Sequence, residues 1–361
     1  MNDIQTSPVK NGKGIPGPLR VKPNMRASWH NFNDVDYETA VEHMVRAHAL
    51  DGAAVDLPVL ALQAYGLVPV DDHMALAPVA NTRRPMPLRA TAFSNLMTRL
   101  GAPADFVRDK LPAPLQLATC NWLMQAQNKS ASATLRLRGN DVAAIVSERY
   151  APLDAEPLCE VVHDVLQAQG LLDEVQVTAV ASGVVDLVRL VFHEKTAAVK
   201  VGDVSALGID ISSSSFGMSA VHVRGLIWRL RCTNGLRVAE NMGSASFRHV
   251  GDVDRLKLGI AEAIPNALAV ADGTLGRWKA AVNAMVENVE QMIADLRDLS
   301  VSERETVTFE VKREAGTTEL PEHLDLYSVI NGITAAAHQV GPARRLEMEA
   351  MAGEILQART S

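Results

Sequence analysis

A chain of 361 residues that is 47% hydrophobic but only 4% aromatic can bury one large aliphatic core or two modest ones. Its three cysteines, Cys120, Cys159 and Cys232, share no CxxC spacing, which argues against a disulfide framework or a zinc knuckle and fits a reducing cytoplasm. The net charge is -7, no apolar run reaches the roughly 20 residues that span a bilayer, and the N-terminus lacks a signal-peptide core, so no membrane partner is expected.

Residues 1–30 carry Gly12, Gly14, Gly17, Pro16, Pro18 and Pro23 with little apolar periodicity, the composition of a flexible basic arm. An α+β core domain is expected over 31–252. It opens with a helix over 37–50, after which 57–70 is too mixed to assign. Three short helices follow over 91–100, 103–110 and 112–127, the last two with proline in the first turn. Strands over 133–138 and 142–146 flank Gly139-Asn140-Asp141 as a hairpin, and a helix over 154–169 stops at Gly170. Strands over 175–181, 184–193, 204–212 and 219–231 lead to the Asn234-Gly235 turn, with a further strand over 245–250. The pattern predicts a central, mostly antiparallel sheet with flanking helices.

A mainly helical region, packed on the core, is expected from 253 to 361. Its first helix begins near 254 and is kinked or ended by Pro265. A second, over 277–299, places Trp278, Val282, Met285, Val289, Met292, Leu296 and Leu299 at 4-3-4-3-4-3 spacing, a heptad seam. Helices over 324–337 and 343–357 are its partners in an intramolecular bundle or hairpin, the favoured arrangement; the alternative is a homo-oligomer formed along the seam. Residues 301–317 read as a connecting loop or hairpin.

Charge is unevenly spread: net +4 over 1–30, -7 over 31–80, +6 over 81–150, -7 over 151–220, +4 over 221–257 and -7 over 258–361. Arginine outnumbers lysine in the two internal basic blocks, which suits bidentate contact with phosphate or carboxylate. Within the second block Arg224, Arg229, Arg231 and Arg237 fall inside fourteen residues, on a segment rich in Val, Leu, Ile and Trp. His222 and Arg224 share one side of a strand. Arg229 and Arg231 join them only if a β-bulge at Gly225 inserts one residue between the pairs.

Other motifs carry less. The GxGxxG match at Gly12 to Gly17 lacks a preceding strand and holds a proline where a helix should start, and there is no P-loop. Glu160 and His163 have metal-site spacing on a helix, but no second such pair exists, so neither metal nor cofactor is expected. Cys232 with His249 could form a nucleophile and base; a cysteine ending an apolar strand is more often structural. Ser213, Ser214 and Ser215 are either a loop edge or donors to an anion, and Arg149 with Tyr150 either contact a ligand or fix a corner.

Taken in order, Ser147-Glu148-Arg149-Tyr150, the serine-rich strand with Gly217, Arg229 with Cys232-Thr233-Asn234-Gly235, Arg248-His249, and Tyr327 to Thr334 resemble the phage- and plasmid-borne "domain of unknown function 932" family. The resemblance extends over roughly 88–357 and implies a cytoplasmic protein of mobile elements, with no established activity. Three functions stay open. In the first, the protein binds single-stranded DNA in recombination or replication: Arg224, Arg229, Arg231 and Arg237 track phosphates with Arg136, Arg138, Arg149 and Arg248, and Trp228 or Tyr150 stacks a base. In the second, an enzyme acts on a phosphate- or carboxylate-bearing small molecule in a pocket lined by Ser213, Ser214, Ser215, Arg149, Arg229, Asn234 and His249. In the third, a structural or anti-host interaction protein pairs its arginines internally with Asp and Glu.

Overall fold

The structure is a computed structural model that describes residues 17–59, 61–80, 83–126, 132–230, 234–238 and 244–360. Most of the basic arm, and Arg231, Cys232 and Thr233, lie outside the described residues. The fold is α+β, with antiparallel sheets, flanking helices and a helical C-terminal region. It divides into two compact units: Met25–Gly52 with Arg149–Ser361 form the larger, and Ala53–Glu148 with the segment up to Asn24 form the smaller.

The larger unit begins with strand β1 (Ser28–Val35) and helix α1 (Tyr37–Asp51). Asp36 caps α1 by accepting from the Thr39 amide at 2.7 Å, which satisfies an otherwise unpaired first-turn donor. The chain then builds the smaller unit from β2 (Ala54–Val59), β3 (Tyr65–Val70), β4 (His73–Pro78), β5 (Met86–Pro87), helices α2 (Ala90–Leu100), α3 (Ala104–Lys110) and α4 (Ala113–Ala126), and strands β6 (Ala133–Arg138) and β7 (Asp141–Val146). These strands form two three-stranded sheets, β2-β6-β7 and β3-β4-β5. Phe93, Leu96 and Met97 of α2 pack with Met74, Leu76, Cys120, Met124, Leu135 and Ile145 in its core. The β6–β7 turn needs a left-handed residue, and Gly139 supplies it at φ 58°.

Back in the larger unit, α5 (Ala155–Ala168) precedes five antiparallel strands: β8 (Val175–Ser182), β9 (Asp186–Lys200), β10 (Asp203–Ser213), β11 (Val221–Arg229) and β12 (Asn234–Arg237). The sheet order is β1-β8-β9-β10-β11-β12, and β13 (Ala245–Phe247) also pairs with β11. Helix α6 (Val253–Ala280) lies on one face. There Val188, Leu190, Ile209, Ile211, Val221 and Val223 meet Ile260, Ile264 and Ala267 of α6 and Leu158, Val162 and Leu166 of α5. Alternation sends every second residue to the other face, where charged and polar side chains stand beside a small apolar cluster of Val191, Ala206, Leu226 and Trp228.

Three expectations are corrected here. Pro265 does not end α6, which runs through it; the proline is exposed, and the buried row on the opposite side holds the helix together against the loss of one backbone bond. The heptad helix does not exist. Its residues are divided among the end of α6, the short strand β14 (Met285–Val286), α7 (Val289–Ala294) and the turns between and after them, so that Trp278, Val289, Met292 and Leu299 are buried in the core of this unit while Met285 is exposed. These residues pack within the chain against Leu326, Ile330 and Met348, so the seam on which the alternative of a homo-oligomer stood is absent. Residues 301–317 are no loop: α8 (Val301–Ala315) starts at a capping box in which the Ser300 hydroxyl accepts from the Glu303 amide and the Glu303 carboxylate accepts from the Ser300 amide. Strand β15 (Leu324–Asp325) pairs with β14, and α9 (Leu326–Ala336) and α10 (Pro342–Arg359) complete the region.

Candidate functional site

The sheet register assembles a row of charges. Asp210 of β10 stands opposite Arg189 of β9 on one side and Arg224 of β11 on the other, so all three project from the polar face. Arg189 donates from Nε and Nη2 to the two oxygens of Asp210 at 2.8 and 2.7 Å, and also pairs with Glu349 of α10. Arg345 donates from Nε to Glu349 at 3.0 Å, and Arg237 of β12 comes within 3.1 Å of Asp210. Arg189, Asp210 and Glu349 are wholly buried. Burial works against the Arg189 charge, yet Asp210 and Glu349 outweigh it and raise its pKa; burial also opposes the Glu349 charge, and Arg189 and Arg345 nevertheless hold that carboxyl down at about 2. Trp29 and Trp228 each lie 5.4 Å from the Arg189 guanidinium.

Arg229 belongs to the opposite face. The β10–β11 register runs unbroken from Ser205–Arg229 to Ser212–His222, so Gly225 forms no bulge and the single basic surface expected from it is absent. Gly225 serves close packing instead. A Cβ there would stand 2.7 Å from the Ala267 carbonyl oxygen and 3.1 Å from the Ala271 Cβ, so only glycine lets α6 lie this near the strand. Arg229 donates to both oxygens of Asp203 at 2.6 to 2.9 Å and to Glu314 of α8 at 2.9 Å. Trp228, expected as a stacking platform, is buried with Val191, Ala206 and Leu226. Arg231 and the side chain of Asn234 lie outside the described residues.

At the far end of β10 the serine run meets a corner. Backbone bonds join Ala151 to the His249 carbonyl and Gly251 to the Arg149 carbonyl, and Tyr150 bridges Val250. The Tyr150 ring stacks on His249 with centroids 5.1 Å apart, and its hydroxyl donates to the Ser214 carbonyl at 2.7 Å. His249 Nδ1 faces the Ala151 carbonyl at 3.0 Å, which makes Nε2 the acceptor for the Ser213 hydroxyl at 3.3 Å. That is the hydrogen bond of a serine and its base. Both residues are buried, however, and Asp186, the carboxylate in register with Ser213, is engaged by His48 at 2.7 Å, so no Ser-His-Asp triad forms. Ser214 donates to the Val184 carbonyl and accepts from the Phe216 and Met218 amides, fixing the turn. Arg229, at the other end of β10, is not part of this cluster.

Arg149 and Arg248 are different. Both are exposed on the two segments that the corner joins, and neither has an ion-pair partner among the described residues. In the smaller unit, Arg136 pairs with Asp56 at 3.1 Å and Arg138 is buried.

Asp210, Glu349, Arg189 and Arg345 were not singled out by sequence. One signal existed: Arg189 in DLVRLVF and Asp210 in GIDIS interrupt apolar strands, where a charge is buried unless the alternation puts it on a wet face.

A family model described as "Domain of unknown function (DUF932)" matches residues 142–352, more than half of the chain. The chain belongs to the DUF932 family. The DUF932 span begins in β7 and ends in α10, so it contains the buried charge row, the Arg229 pairs and the Tyr150–His249 corner. No curated protein and no solved structure matches the chain. No helix among the described residues is long and apolar enough to cross a membrane.

Proposed function

We propose that this DUF932 protein binds single-stranded nucleic acid through the Arg149–Arg248 corner, in the recombination or replication of mobile elements. The observation that carries the reading is the contrast between the arginines. Arg189, Arg229 and Arg345 are held by carboxylates, whereas Arg149 and Arg248 are exposed and have no ion-pair partner among the described residues. Guanidinium groups of this kind contact phosphates without first breaking an internal pair. The stacked, hydrogen-bonded Tyr150 holds both arginines on a fixed frame, which reduces the ordering cost of binding. Tyr150 and His249 thus position the corner, and base stacking is a minor contributor.

A titration with a fluorescent single-stranded oligonucleotide at two salt concentrations tests this. Affinity falls steeply with salt, and an Arg149→Ala/Arg248→Ala protein loses at least several-fold in affinity with a shallower salt slope, by about 0.7 per phosphate contact removed. Salt-independent binding, or none, overturns the reading. Internal pairing of Arg229 and Arg189 favours a second reading, a structural or anti-host interaction protein, and absence of oligonucleotide binding supports it.

A further inference from the structure

Two exposed apolar side chains border the Arg149–Arg248 corner. Val250 is 51% exposed and lies opposite Tyr150 in the backbone bridge that makes the corner. Its amide donates to the Arg248 carbonyl at 2.8 Å, and the next amide, of Gly251, donates to the Arg149 carbonyl at 2.9 Å, which fixes the valine backbone between those of the two arginines. Met218 is 48% exposed and stands at the other end of the same tyrosine. There the Tyr150 hydroxyl donates to the Ser214 carbonyl at 2.7 Å, and the Ser214 hydroxyl accepts from the Met218 amide at 3.3 Å. Gly217, left-handed at φ 72°, closes this turn and leaves the methionine exposed beside it.

A single exposed apolar residue needs no explanation. These two are tied by backbone hydrogen bonds to the two ends of one half-buried ring, on segments that also carry the exposed guanidinium groups of Arg149 and Arg248. Phosphate contact alone has no use for aliphatic surface. A nucleobase does, because its faces are apolar and the sugar joins it to the phosphate that an arginine holds. Methionine is unbranched and polarizable and adapts to the shape laid on it, and neither it nor valine carries a group that reads the donor and acceptor pattern of a base edge.

We propose that Met218 and Val250 are base-contacting residues of this corner, packing on the faces of unstacked bases while Arg149 and Arg248 hold the neighbouring phosphates. The inference rests on the nucleic-acid reading of the corner and adds the reason for a single strand: in a duplex the base faces are stacked on one another and turned from the protein. It also makes the surface tolerant of sequence, since every base has an apolar face. The contact is aliphatic, so it adds to the hold of the arginines without replacing it.

Fluorescence anisotropy tests it with a mixed-sequence single-stranded oligonucleotide, the same strand with abasic sites in place of its central nucleotides, and the strand annealed to its complement. Wild-type protein is expected to bind the intact strand several-fold more tightly than the abasic strand or the duplex. Met218→Ser and Val250→Ser are neutral changes at exposed positions; each is expected to weaken the intact strand several-fold, to bind the abasic strand as wild type does, and to leave the salt slope unchanged because no phosphate contact is lost. Arg149→Ala/Arg248→Ala, by contrast, weakens intact and abasic strands alike. If Val250→Ser fails to fold, Met218→Ser decides the matter. Equal wild-type binding of intact and abasic strands, or a Met218→Ser protein that keeps the full preference for bases, overturns this inference and leaves the phosphate contacts of the arginines standing. Tighter binding of the duplex also overturns it, and absence of binding to every probe overturns both readings.

Discussion

Arg189 and Asp210 face each other across the β9–β10 pair and share two hydrogen bonds, from Nε at 2.8 Å and Nη2 at 2.7 Å, with neither side chain exposed to water. A buried pair of this kind contributes little beyond what an apolar replacement of both partners would give, but breaking it by halves leaves a bare charge. Glu349 completes the same group from α10 and thereby ties the C-terminal helix to the sheet.

Glu349→Ala is accordingly expected to destabilise the protein by about 3–5 kcal/mol, since Arg189 and Arg345 lose a shared buried partner. Urea unfolding followed by circular dichroism measures it. A loss below about 1 kcal/mol would show that α10 does not depend on this pair.

The same carboxyl makes stability depend on acid. Its folded pKa of about 2 lies below the ordinary 4.5, so its contribution is complete above 4.5 and is lost as pH falls from there toward 2. The urea midpoint is expected to drop across that window in the wild-type protein, and to drop less in Glu349→Gln. Parallel curves for the two proteins would contradict this.

Arg229→Ala separates scaffold from surface. With Asp203 and Glu314 both losing their ion pair to Arg229, unfolding becomes easier by about 3 kcal/mol. Oligonucleotide affinity, measured well below the unfolding transition, stays within twofold of wild type. A large affinity loss in a folded Arg229→Ala protein would return this arginine to the binding surface.

Gly225→Ala tests the packing of α6. The added methyl meets backbone oxygen at 2.7 Å, so helix and strand must part, at a cost of about 1–3 kcal/mol. Had Gly225 been needed for a bulge, the variant would shift the β10–β11 register; amide exchange protection along Ile209 and Ile211 is expected to keep its pattern.

The sheet was legible because period-two alternation in residues such as Val188, Leu190, Ile209 and Ile211 reflects one buried face. Both β9 and β10 extend further than their apolar runs, through Lys200 and back from Asp203, since backbone pairing continues past the point where burial selects side chains. Helix α8 was hidden by its charged, weakly patterned residues, although Ser300-Val301-Ser302-Glu303 spells its capping box. The heptad spacing misled because the same three- and four-residue intervals arise when a helix end, a turn and a short helix each bury one side, and Asn288 starts a new helix in the middle of the run by accepting from the Gln291 amide. Of the candidate site, the Arg149–Tyr150 and Arg248–His249 segments were singled out in the sequence, whereas the partner that Arg189 and Arg345 share was not: Glu349 is far along the chain from Arg189, and only the crossing of α10 over the sheet brings it near.

Strand β1 is made long before it has a neighbour. Its partner β8 enters roughly 150 residues later, with the whole of Ala53–Glu148 translated in between. The smaller unit holds the partners of its own strands and can close while the larger sheet is still unfinished. During synthesis, then, Ser28–Val35 remains an unpaired strand waiting for β8, and the step that seats it is the long-range closure of the entire intervening chain, a late and slow event on the ribosome.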